Sequence, residues 1–120
     1  MSIEPKVDAS EEGNLVHLEL QGALSPADQA TLVYFITKAV QRHGTIRLLV
    51  TLADFSGWTR GEDWDDAGMR ISDDSGVAKA AFAGDPRWKD DVFAFVAKPF
   101  RAIPIEYFPT EAAARAWLDT

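Results

Sequence analysis

The run Ile46-Arg47-Leu48-Leu49-Val50-Thr51-Leu52 decides the fold. Five of its seven residues are aliphatic and three of those are consecutive, so both faces of an extended segment here would be apolar. A strand of that kind belongs at the centre of a parallel sheet with helices over both faces. The stretches on either side agree. Upstream, Ser25-Pro26-Ala27-Asp28 offers an N-cap, a proline at the first helical position and an acid placed for a capping box. Leu32, Phe35, Ile36, Ala39 and Val40 then follow at helical spacing to about Arg42, and His43-Gly44 provides a stop. A strand that follows such a helix points to a β-α-β crossover.

Further out, Asn14-Leu15-Val16-His17-Leu18-Glu19-Leu20-Gln21 alternates, with Val16, Leu18 and Leu20 on one face and His17, Glu19 and Gln21 on the other. Residues 3–7 make a weaker strand, and the polar run Ala9-Ser10-Glu11-Glu12-Gly13-Asn14 reads as the turn of a β-hairpin. Downstream, Ala53-Asp54-Phe55-Ser56-Gly57-Trp58 reads as a loop carrying two large aromatics. Residues 60–74 read as a helix with the stripe Trp64, Ala67, Gly68 and Ile71, weakened at each interior glycine by about 1 kcal/mol. Lys79-Ala80-Ala81-Phe82-Ala83 is a short strand, and Gly84-Asp85-Pro86 opens a helix with Asp85 as N-cap. Its buried stripe is Trp88, Val92, Phe95 and Val96, with Phe93 off the stripe and Pro99 ending it. Residues 103–108 form a last strand, and Thr110 caps a final helix containing Ala113, Ala116 and Trp117. The order is β-β-α-β-α-β-α-β-α, a mixed α/β sheet of about five strands with about four helices in one domain spanning residues 1–120.

Composition narrows the chemistry. A net charge of −7 disfavours nucleic acid and anionic membranes, whose phosphates need Lys and Arg, and no basic run compensates. No apolar run approaches the ~20 residues that span a bilayer, so stable membrane insertion is not expected. The chain has no cysteine, which excludes disulfides, thiolate catalysis and Cys-based metal sites; with no signal-like N-terminus, the expected compartment is the cytoplasm. Glu62, Asp63, Asp65, Asp66, Asp73 and Asp74 lack the spacing of a calcium loop and read as a solvated face, so no metal and no cofactor is expected. His17 and His43 are isolated, Ser25, Ser56 and Ser75 lack a nucleophile elbow, and the glycines form no phosphate-binding loop.

The ordered set of junctions resembles the SpoIIAA-like family, whose fold is shared by STAS and SEC14 (CRAL-TRIO) domains. The resemblance is carried by Gly22-Ala23-Leu24-Ser25, by His43 to Val50 continuing through Asp54-Phe55-Ser56-Gly57-Trp58, and by Gly84-Asp85-Pro86-Arg87-Trp88, similar to a Gly-Asp-x-x-Trp element. Lys98-Pro99-Phe100, Ile105-Glu106-Tyr107-Phe108 and Ala116-Trp117-Leu118 complete it. The resemblance implies this architecture and a bias towards binding, with no common reaction. Two departures stand out. Lys79 occupies a place where the family often has arginine, which keeps the charge and loses the planar fork. The turn at Ser56-Gly57-Trp58-Thr59 also lacks the Asp-Ser-Ser-Gly-like phosphorylatable serine of anti-sigma-factor antagonists.

The expectation is therefore a non-enzymatic binding domain acting through a protein partner or a homodimer. Its candidate contact residues are Asp54, Ser56, Trp58, Lys79, Asp85, Trp88 and Phe93, with Trp58 and Phe93 as aromatics left over from the core. The alternative is a carrier of a small apolar ligand or lipid, in a pocket under residues 60–74 and the helix after Asp85. A third reading, an enzyme using Asp54 or Asp85 with Ser56, requires a carboxylate of raised pKa beside the serine.

Overall fold

β1 (Val7–Glu12) and β2 (Leu15–Leu24) form the opening hairpin of the computed structural model, antiparallel with Val7 opposite Leu20 and Glu12 opposite Leu15. The structure describes residues 7–58, 76–95 and 103–120, except for the side chains at positions 26, 53, 54, 58, 94 and 95. The polar run from Ala9 to Glu12 is strand, not turn, and the turn is confined to Gly13 (φ 59°) and Asn14. Among the described residues β1 lies at one edge of the sheet, and its Asp8, Ser10 and Glu12 are exposed while Val7 is buried. A strand with so little buried surface carries a weak apolar pattern.

α1 (Pro26–His43) begins as its sequence dictates. The Ser25 hydroxyl accepts the Asp28 N–H at 3.2 Å, and the Asp28 carboxylate accepts the Ser25 N–H at 3.0 Å. This reciprocal cap satisfies two otherwise orphaned donors. Gly44, with φ 79°, donates its N–H to the Val40 carbonyl and ends the helix. Leu32, Ile36 and Ala39 are buried against the sheet, Phe35 and Val40 are half-buried, and Gln29 is also buried.

β3 (Ile46–Trp58) runs parallel to β2 and extends well beyond its apolar run. The stretch Ala53–Trp58, expected as a loop, continues the strand: Phe55 pairs with Gly22, Gly57 with Ala23 and Trp58 with Leu24. Register shifts on both sides of Gly22 (φ 68°) bend β2 so that its tail stays beside β3. The loop-like composition of 53–58 is overridden by the backbone pairing that β2 supplies.

β4 (Val77–Ala83) and β5 (Ile105–Phe108) add in parallel, giving the order β1-β2-β3-β4-β5. Between them, Pro86–Trp88 forms one 3-10 turn that leads into α2 (Lys89–Phe95), so the helix capped by Asp85 opens more tightly than expected. α3 (Glu111–Leu118) is capped by Thr110, whose hydroxyl accepts the Ala113 N–H. It buries Ala114 and Leu118, whereas Ala116 is exposed and Ala113 and Trp117 are half-buried. The helix expected over 60–74, the acidic face it would carry, and Val96 lie outside the described residues.

The alternation of β3 sorts the core into two layers. Leu48 and Val50 face α1 and α2, together with Leu18, Leu20, Phe82, Ile105 and Tyr107. Leu49 faces α3 with Leu15, Ala81, Ala83, Ala114 and Leu118. Both faces of the strand are thus covered, as its run of aliphatic residues requires.

Candidate interaction site at the carboxyl ends of the strands

β4 ends at Ala83 and the chain turns over Gly84, where there is room for hydrogen only. A Cβ at Gly84 would stand 2.9 Å from the Leu52 Cβ and 3.1 Å from the Tyr107 hydroxyl. Asp85 then caps the 3-10 turn, its carboxylate accepting the Arg87 N–H at 3.0 Å. The Asp85 carbonyl accepts the Tyr107 hydroxyl at 2.6 Å, which ties the turn to β5. Burial, and secondarily the negative charge of Asp85, push the Tyr107 phenol up to about 12.

The turn delivers Trp88 onto β3. Its ring meets Phe55 edge-on at 5.1 Å, and a Cβ at Gly57 (φ 102°) would lie 3.3 Å from it. The guanidinium of Arg87 lies 4.8 Å from the Trp88 ring centroid, a cation–π distance. Trp88 is half-buried, whereas the Arg87 and Asp85 side chains are 67% and 60% exposed. The result is a braced indole with an exposed cation and carboxylate beside it.

The seven residues expected to make contacts divide accordingly. Asp85 and Trp88 come together at this edge. Phe93 is not left over: it packs on the core and meets Tyr107 edge-on at 6.4 Å. A helix lying across two strands buries more than one stripe, and Phe93, about 100° round from Val92, turns towards β5. Ser56 is exposed between buried Phe55 and Gly57, so the alternation of β3 puts it on the opposite face from Trp88. Lys79 lies at the other end of β4, where its ammonium donates to the backbone oxygens of Trp117 (3.1 Å) and Thr120 (2.9 Å). It also sits 4.9 Å from the Trp117 ring centroid. The Asp54 and Trp58 side chains lie outside the described set.

Arg87 and Tyr107 were missed as site residues. Arg87 had a signal, its place beside Trp88 just after a helix-opening proline, whereas Tyr107 is joined to Asp85 only by tertiary packing. Among the described residues no cluster of three or more His, Asp or Glu side chains is placed to hold a metal ion, and no helix is long and apolar enough to cross a membrane.

A parallel core with one antiparallel edge and helices on both faces defines a small mixed α/β fold. The chain belongs to the SpoIIAA-like family, whose profile matches residues 15–119. Its fold is similar to that of an uncharacterized protein of the DUF3478 family with a SpoIIAA-like fold from Shewanella loihica PV-4. The two superpose with a TM-score of 0.68 over 93% of this chain and 91% of the other, at 17% sequence identity. A search of curated proteins gives no match.

Proposed function

We propose that the chain is a non-catalytic cytoplasmic recognition domain that binds a protein partner, or a second copy of itself, through the edge built by Asp85, Arg87 and Trp88. The observation that carries this reading is the bracing of Trp88 between Phe55, Gly57 and Arg87. A side chain already held in place has little rotamer freedom left to lose on association. Tryptophan and arginine are also the residue types that most often dominate interface energies. The Asp85 carboxylate supports a non-catalytic role, because it is engaged in capping the turn. The pocket imagined beneath residues 60–74 lies outside the described residues and lends no support to the alternative of an apolar-ligand carrier there.

Photo-crosslinking tests the reading. A benzoylphenylalanine at position 87 should give a discrete adduct in cells, and one at twice the chain mass would identify self-association. The same group at Tyr34, which is 58% exposed on α1, serves as the control. If position 87 yields no more adduct than position 34, and native mass spectra show monomer alone, the reading fails.

A further inference from the structure

The hydrogen-bond ladder fixes which backbone groups of β1 face outward. Arg47 donates its N–H to the Asn14 carbonyl at 2.9 Å. Backbone groups alternate in direction along a strand, so Val16 and Leu18 turn theirs to β3, and Leu15, His17 and Glu19 turn theirs to β1. The partners of those three in β1 are Glu12, Ser10 and Asp8. The N–H and C=O groups of Ala9 and Glu11 consequently point away from the sheet, and no described strand lies beyond them. Such an edge is a ready template for one more strand.

Its charge selects the strand. β1 carries Asp8, Glu11 and Glu12 among its six residues. Glu11, on the α1 face, is already held by Arg42, with His43 Nε2 at 3.8 Å. On the opposite face Arg115 Nη1 reaches Glu12 at 3.4 Å, but the same guanidinium also serves Glu111. Asp8 stands directly opposite Glu19, and among the described residues neither carboxylate has an ion pair; Glu19 accepts a neutral amide from Gln21. Like charges directly opposite are unfavourable alone, and a cation set beside them relieves the repulsion. A second copy of the chain is the wrong occupant, because its own β1 would bring three more acids to the seam. On the α1 side, an open space of about 270 Å³ between Ala9, Phe35 and Arg42 leaves room for small uncharged side chains.

We propose that β1 takes up an extended segment of a partner protein with lysine or arginine at every second position. The segment pairs with the outward backbone groups of Ala9 and Glu11 and sets its cations beside Asp8 and Glu12, on the face away from α1. This edge is separate from the Trp88 turn at the end of β4, so this proposal and the reading above stand or fall separately.

NMR titration of the isotope-labelled full chain with the peptide Lys-Thr-Lys-Thr-Lys-Thr-Lys, blocked at both ends, tests it. Shifts should saturate, and amide exchange should slow at least about tenfold at Ala9 and Glu11, and less at Asp8 and Ser10, which are already bonded to β2. Three peptides should bind at least about tenfold more weakly: one with glutamate for lysine, one with the same residues in two blocks, and one N-methylated at every residue. Asp8→Lys, which sets a cation opposite Glu19, should keep the fold and weaken the first peptide to a similar degree. Unsaturable shifts, unchanged exchange at Ala9 and Glu11, or indifference to Asp8→Lys overturns the proposal. So does any of the three control peptides binding as tightly as the first.

Discussion

Tyr107 shows how much of this structure turns on single hydroxyl and hydrogen positions. Its O–H donates to the carbonyl of the residue that caps the turn before α2, and Gly84 is hydrogen-only because a Cβ there would lie 2.9 Å from the Leu52 Cβ and 3.1 Å from that phenol. Each named residue of the Gly-Asp-x-x-Trp element thus has its own physical role. Gly84 permits close approach, Asp85 caps, and Trp88 closes on Phe55. The phenol must be protonated to donate. Its pKa in the fold, about 12, is above the ordinary ~10, so its contribution is complete below about pH 10 and is lost as pH rises through 12. Tyr107→Phe should cost about 1 kcal/mol at neutral pH, the usual net value of a buried hydrogen bond. The gap in melting temperature between the two proteins should shrink above pH 10; parallel alkaline slopes would contradict this account.

At the scale of elements, α3 is held by a device that sequence patterning does not reveal. Arg47 and Lys79 are register partners on the same face of β3 and β4, an arrangement of like charges that is unfavourable alone. The carboxyl end of α3 resolves it. Arg47 donates to the Leu118 carbonyl (3.2 Å) and Asp119 (3.0 Å), and Lys79 takes the Trp117 and Thr120 oxygens. At the amino end, the hydrogen bond from Arg115 holds Glu111 below the usual carboxylate range. Replacing the ammonium (Lys79→Met) should cost about 1–2 kcal/mol and speed amide exchange in the last turn of α3 roughly tenfold. Unchanged exchange at residues 115–118 would mean that Lys79 is not a clamp. The caps of α1 and α3 were legible in the sequence because cap and helix are neighbours in the chain. The Lys79 clamp, the tail of β3 and the burial of Phe93 were not, because each depends on a partner far along the chain. Lys79 therefore read as a contact residue when its bonds are internal.

For the molecule as a whole, the architecture could be read from Ile46–Leu52 because a strand with two apolar faces demands two covering layers, and both are present. The site was half legible: Asp85 and Trp88 sit where strand ends lead into a helix, but Tyr107 reaches that turn from β5, twenty-two residues on, and has no local signature. Spatial order also follows chain order, β1-β2-β3-β4-β5, so each strand emerging from the ribosome finds its neighbour already in place. One face of the sheet is different. Among the described residues, Leu15, Leu49 and Ala81 are covered by α3, which follows all five strands in the chain. A chain truncated after Phe108 should carry a paired sheet with one greasy side, and bind an apolar reporter dye that the 120-residue chain ignores; equal dye binding by both would refute this. The clasp at Arg47 and Lys79 is then what turns that greasy side inward, because it ties the last turn of α3 to the very strands that α3 covers.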